Sequence, residues 1–155
     1  MRAIIQRTEQ AKILVETDGE FRLTGEMMQG LLVLLGVEKS DTEEDVDYLI
    51  RKIKDMRIFN DSEGKMNLSL IDINGSIGIV SQFTLHANTK KGNRPSFIRA
   101  ADPVEAEILY KQFINKMELL IKGKIISGVF GAMMKIDFIN DGPVTIIIDS
   151  KQREL

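Results

Sequence analysis

Residues 31–37 run Leu-Leu-Val-Leu-Leu-Gly-Val, seven positions without one polar side chain. Such a run is far below the roughly 20 apolar residues that a membrane-spanning helix needs. A strand with one wet face alternates polar and apolar residues, so an uninterrupted run marks a strand covered on both faces. Whatever fold the chain adopts must place apolar material on two sides of this segment.

The helices available for that purpose are few. One is read from Asp41 as N-cap, with Glu44 three positions on at the spacing of a capping box. Val46, Leu49, Ile50, Ile53 and Met56 follow as a single apolar stripe. A second is read from Asp102 as N-cap, Pro103 at the first helical position and Glu105 in the box position. Its apolar face is expected along Ile108, Leu109, Gln112, Phe113, Lys116, Met117, Leu120 and Ile121, with Gly123 at its end. The methionines and phenylalanines of both stripes read as core.

Strand patterns fill the rest: 3–7 and 12–16, expected to form a hairpin across the polar residues between them, then 31–37, 76–81, 133–139 and 144–149. Two helices are too few to cover both faces of a doubly wound sheet. The expected fold is therefore α/β: a single compact domain of stacked mixed β-sheets with two main helices covering one side, in β/β/α layers. At 155 residues the chain matches one domain with its own core, expected over 1–150 with 151–155 as a tail.

Composition narrows the chemistry. With no cysteine there is neither a thiol nucleophile nor a disulfide framework, and no leader pattern opens the chain, so a cytoplasmic setting is expected. The single histidine, His86, cannot build a two-histidine metal site, and a Ser-His-Asp arrangement would need it as base. If extension continued past residue 81, His86 would share a face with Thr84 and not with Ser81; it is left out of the candidate site. No metal and no cofactor are expected. Net charge is −2, so any contact with phosphate must come from a local patch, for which Lys90, Lys91, Arg94 and Arg99 are the candidate. The plain alternative is a solvated loop.

Two segments stand out against this inventory. The apolar run Ile77-Gly78-Ile79-Val80 leads directly into Ser81-Gln82-Phe83-Thr84-Leu85, a strand delivering hydroxyls and an amide to one rim of the fold. A strand ending in a polar turn is the plain alternative. Far along the chain lies Asn140-Asp141-Gly142-Pro143-Val144-Thr145, where proline removes a ladder donor and glycine removes a side chain. It is either a turn or a backbone shaped to approach a ligand.

Together these segments resemble the two signature motifs of the D-aminoacyl-tRNA deacylases, also called D-tyrosyl-tRNA deacylases. The likeness extends through Ile5-Gln6-Arg7, Gly30 to Val37, Arg57-Ile58-Phe59, Gly64-Lys65-Met66-Asn67, Arg94-Pro95-Ser96-Phe97 and the stretch around Phe130 and Met134. The resemblance implies hydrolysis of the ester of D-aminoacyl-tRNA, by a homodimer in which a cis Gly142-Pro143 peptide enters the active site of the other subunit and excludes L-amino acids. Glycine has no side chain to exclude, so glycine mischarged on tRNA-Ala is an expected substrate as well. Catalytic positions are expected at Ser81, Gln82, Phe83 and Thr84, with backbone N–H groups near Phe83 and Thr84 as the oxyanion hole. Arg7, Gly142, Pro143, Phe130 and Met134 are expected to bind substrate, the last two around the terminal adenosine. Thr84 is read either as a nucleophile or as a polar contact, and the absence of a suitable base favours the contact. Expected partners are tRNA, through its 3′-terminal aminoacyl-adenosine, and a second copy of the chain, with no membrane and no DNA. Two other readings remain at this point: a noncatalytic tRNA-binding, chirality-sensing module, and a general esterase with a hydroxyl nucleophile.

Overall fold

The computed structural model describes residues 1–154, so the last residue of the expected tail lies outside the described residues. At its centre is β3 (Gly30–Gly36), the apolar run of the sequence. One edge of β3 pairs antiparallel with the first half of β1 (Arg2–Thr17), Arg2 opposite Gly36 and Thr8 opposite Gly30. Its other edge pairs in parallel with β6 (Ser76–Ser81), which in turn carries the parallel β7 (Ile125–Ser127). The second half of β1 leaves β3 and pairs with β2 (Glu20–Met27), while β8 (Met134–Asp149) follows the opposite edge of β1 along most of its length. The result is a six-stranded mixed sheet; β4 (Phe59–Asn60) and β5 (Met66–Leu68) form a small separate ladder. The helices are α1 (Glu43–Asp55) and α2 (Pro103–Glu118).

Both faces of β3 are covered. Leu31, Val33 and Leu35 join Ile77 and Ile79 of β6 in a core with Val46, Leu49 and Ile53 of α1 and Tyr110, Phe113 and Met117 of α2. Leu32 and Val80 point the other way and pack on Ala11, Ile13, Val15, Met27 and Ile126. That second core lies where the sheet turns back on itself, so hydrogen bonding joins most strands into one sheet while packing gives two β layers and a helical layer. Each fully buried Leu, Ile or Val contributes about 1.5–3 kcal/mol, so these two cores supply most of the drive to fold.

Several local expectations are corrected. Segments 3–7 and 12–16 are one strand, not a hairpin; the polar residues between them sit where the register of β1 against β8 shifts. The hairpin lies one strand later, where Asp18 (φ 54°) and Gly19 (φ 79°) join β1 to β2, the Asp-Gly pair that a tight two-residue turn favours. Segments 133–139 and 144–149 merge into β8, with Gly142-Pro143 inside it. Thr42, not Asp41, caps α1: its N–H donates to Asp45 Oδ2 at 2.8 Å. Asp41 instead accepts the N–H of Glu38 at 2.6 Å and pairs with the Met1 amino group.

The buried stripe of α2 is Ala106, Tyr110, Phe113 and Met117, leaving Ile108 54% exposed. Apolar residues lie nearly all round this helix, so spacing alone did not select the face. It ends at Glu118, before Gly123. That glycine serves close packing, since a Cβ there would lie 2.0 Å from the carbonyl oxygen of Gly75.

Candidate active site

Because β3 and β6 are parallel, both finish on the same rim. At that rim Ser81 ends β6 opposite Leu35, and the N–H of Gln82 donates to the Leu35 carbonyl at 2.8 Å. The chain then leaves the extended conformation and makes one 3₁₀ turn over Phe83–His86. Hydrogen bonds of this turn run from Leu85 N to Gln82 O and from Ala87 N to Thr84 O. The N–H groups of Phe83 and Thr84 precede the first bonded donor and donate to no described group, as expected at the start of a helical turn. The turn also swings His86 inward: it is 2% exposed, against Gly36, and is not part of the cavity wall.

A half-open cavity of ≈ 820 Å³ adjoins this turn. Ser81, Gln82 and Phe83 form one wall, Phe130 and Met134 another, and the start of α2 at Asp102 and Pro103 a third. Thr84 is exposed just outside the lining, and its hydroxyl accepts a hydrogen bond from the Gln82 side-chain amide. Tyr110 lines the floor, where its hydroxyl donates to the Ile79 carbonyl at 2.8 Å. Burial pushes this phenol well above its usual range, so it stays neutral and holds β6 in place. Phe97 meets Phe83 edge to face, ring centres 5.0 Å apart, and Phe130 packs on Tyr110 at 5.8 Å.

The second group of residues forms around Arg7, which is 7% exposed. Its guanidinium donates to the Ile58 carbonyl at 2.6 Å and, through Nε, to the Asp141 carbonyl at 3.3 Å, and it pairs with the Asp141 carboxylate at 2.9 Å. Gly142-Pro143 follows, a cis peptide on an exposed bulge of β8. Gly142 has φ 119°, and a Cβ there would stand 2.8 Å from Val144 Cγ2 and 3.1 Å from Arg7 Nη2, so only glycine fits. On the other side of the bulge Asn140 Oδ1 accepts the Val144 N–H at 3.2 Å, and its amide donates to the Thr145 hydroxyl at 3.2 Å.

The chain therefore brings Ser81, Gln82, Phe83, Phe130 and Met134 together, and separately Arg7, Gly142 and Pro143. It does not join the two groups. Met134 and Asn140 lie on the same extended strand, about 20 Å apart at roughly 3.3 Å per residue. Sequence reasoning missed Tyr110, Asn140 and Asp141 as site residues. The spacing Ala106-Tyr110-Phe113-Met117 was the available signal for the first, and adjacency to Gly142-Pro143 for the others.

The model of the D-Tyr-tRNA(Tyr) deacylase family matches residues 4–149. A D-aminoacyl-tRNA deacylase of Christiangramia forsetii is 54% identical over 153 residues, covering 99% of each chain. Among solved structures, the c-Myc DNA unwinding element binding protein superposes with TM-score 0.88 at 36% identity, covering 96% of this chain and 98% of that one. A protein described as a probable eukaryotic D-amino acid tRNA deacylase shares the fold, with TM-score 0.81 at 19% identity over 96% of this chain and 98% of that one. With the family model spanning nearly the whole chain and a relative more than half identical, the chain belongs to the D-Tyr-tRNA(Tyr) deacylase family of hydrolases.

Proposed function

We propose that this chain hydrolyses the ester between a D-amino acid and the 3′-terminal ribose of tRNA, as a cytoplasmic homodimer whose active site is shared between copies. The observation that carries the reading is the separation of the two halves. An open cavity edged by unpaired N–H groups lies at one end of β8, and an exposed, rigidly held Gly142-Pro143 begins eight residues past Met134, roughly 26 Å along the strand at about 3.3 Å per residue. One chain cannot close its own site, whereas a second copy can offer its Gly142-Pro143 to the cavity.

In this mechanism the adenosine of the tRNA end stacks between Phe130 and Met134, because aromatic faces and apolar side chains hold bases without reading their edges. The ester carbonyl lies at the start of the 3₁₀ turn. Water adds to the carbonyl carbon, and the negative charge gathers on the carbonyl oxygen facing the N–H groups of Phe83 and Thr84. Collapse of the intermediate breaks the bond to the ribose 3′-oxygen, which takes the proton brought by water. The products are free D-amino acid and tRNA. One such backbone donor is worth about 10²–10³ in rate.

Ser81 and Gln82 orient the ester, and Thr84 acts as a polar contact. The Thr84 hydroxyl already accepts from Gln82, and among the described residues the ionisable groups on the cavity wall are Lys39, Asp102 and the neutral Tyr110, none placed as a base for it. Carbonyls of the other copy's Gly142-Pro143 face the chiral centre, where an L side chain would collide and a D side chain points away. Glycine passes the same filter, so glycine mischarged on tRNA-Ala is a second substrate.

The test is release of amino acid from matched D- and L-aminoacyl-tRNA and from glycyl-tRNA-Ala. Loss of the D and glycyl esters with the L ester intact is expected. Binding without release would favour a noncatalytic module, and loss of all three esters, or an acyl adduct on Thr84 by mass spectrometry, would favour a hydroxyl-nucleophile esterase.

A further inference from the structure

Residues 73–101 contain Lys90, Lys91, Arg94 and Arg99 and not one Asp or Glu, in a chain whose totals are 21 Lys+Arg and 23 Asp+Glu. The remainder of the molecule therefore carries 17 Lys+Arg against 23 Asp+Glu, and this stretch is locally cationic. Arg99 is committed to Glu38, Nη2 to Oε1 at 2.6 Å. Lys90, Lys91 and Arg94 are exposed, and none is ion-paired among the described residues.

Their scaffold is ordered. Asn88 and Ser96 exchange both backbone hydrogen bonds, at 2.7 and 3.0 Å, closing a small hairpin whose tip carries the three cations. Asn88 Oδ1 accepts the Lys90 N–H at 2.9 Å, and Gly92 turns the tip with φ 67°. Both ends of the hairpin are tied to the site. It begins just after the 3₁₀ turn at Phe83–His86, and it returns through Phe97, which packs on Phe83 in the cavity wall. Lys39, which donates its N–H to the Arg99 carbonyl, adds an exposed ammonium on the cavity rim.

We propose that the 88–96 hairpin is a phosphate-docking arm: Lys90, Lys91 and Arg94 grip the sugar-phosphate backbone of the tRNA acceptor end while its terminal aminoacyl-adenosine occupies the cavity. This rests on the deacylase reading and adds where the rest of the tRNA lies. Phosphates leaving the cavity past Phe83 and Phe97 meet a cationic stretch free of Asp and Glu, while the chain outside it carries more acidic than basic side chains. Three lysines and arginines on a hairpin tip read no base, so the arm contributes affinity and register common to every tRNA, not amino-acid choice.

The test compares wild type with the triple variant Lys90→Ala, Lys91→Ala, Arg94→Ala. Three readouts are used: binding of uncharged tRNA from 50 to 300 mM salt, kcat/KM on D-tyrosyl-tRNA, and turnover of D-tyrosyl-adenosine, which has no phosphate. Three lost phosphate contacts are expected to flatten the slope of log K against log salt by about 2, at roughly 0.7 per contact on single strands. KM for D-tyrosyl-tRNA rises at least about tenfold, with kcat and D-tyrosyl-adenosine turnover retained. An unchanged salt slope for uncharged tRNA would overturn the arm whether or not the protein deacylates. Equal damage to D-tyrosyl-adenosine would overturn it too, because the hairpin would then only shape the cavity. A wild type that binds tRNA with the full slope but releases no amino acid would leave the arm standing and sink the deacylase reading.

Discussion

Asn140 closes the bulge that carries Gly142-Pro143, one side-chain amide bonding Val144 and Thr145 from the side opposite Arg7. Asn140→Ala removes both bonds, at a cost of about 1 kcal/mol in stability, and frees the segment proposed to face the chiral centre. The ratio of D to L hydrolysis is expected to fall at least about tenfold with the D rate less affected, measured as initial rates beside a thermal melt. Asn140→Asp keeps the acceptor oxygen for Val144 N–H and should retain most of the ratio. A variant as selective as wild type would show that Arg7 alone sets the segment. Much of this detail was legible in the residues themselves: Ser81, Gln82 and Phe83 sit on the cavity as expected from a polar strand end, and Gly142 occupies a position that only glycine fits. The placement of Thr84 outside the lining was not legible, since it depends on a 3₁₀ turn that no local pattern announces.

Among the elements, α1 shows where sequence reading slipped by one residue and why. Asp41 and Glu44 have the spacing of a capping box, but so do Thr42 and Asp45, and tertiary contacts decide between them. Asp41 is drawn to the Met1 amine, which leaves Thr42 and Asp45 to cap the helix. Burial of Asp45 alone would raise its pKa, yet hydrogen bonds from Lys151, Ser150 and the Thr42 backbone outweigh it and hold the carboxyl well below the usual range. A folded pKa depressed below the unfolded value of about 3.9 stabilises the protein above that pH, and the gain is lost as pH falls through the folded pKa. Asp45→Ala is therefore expected to cost about 2 kcal/mol at pH 7, as a lost cap and a lost charge-assisted bond. The gap to wild type should shrink in denaturant titrations run below about pH 3. A gap independent of pH would mean that Asp45 stabilises through packing, not charge. Long strands were the other blind spot. β1 and β8 each read as two segments because polar residues at their register shifts interrupt the apolar pattern.

At the scale of the whole molecule, one sheet folded over itself places parallel strand ends, a helix start and the first residues of β8 around one cavity, and sends the far part of β8 away from it. The layered α/β architecture followed from counting helices against strands. That hydrogen bonding runs through one sheet did not, because strand order is a property of long-range pairing. This geometry is why a shared site is the central claim: the cavity and the Gly142-Pro143 segment stand apart in one chain, and on the proposed reading they meet between copies. The most direct measurement is the ratio of initial rates on D-tyrosyl- and L-tyrosyl-tRNA for wild type and Gly142→Ala side by side. In the variant the added Cβ presses on Val144 and Arg7 and displaces the segment without touching the cavity wall. The expected result is a wild-type ratio of about 100 or more that collapses in the variant while hydrolysis of the D ester persists. A wild type that hydrolyses both esters alike, or a variant whose ratio is unchanged, would contradict the account.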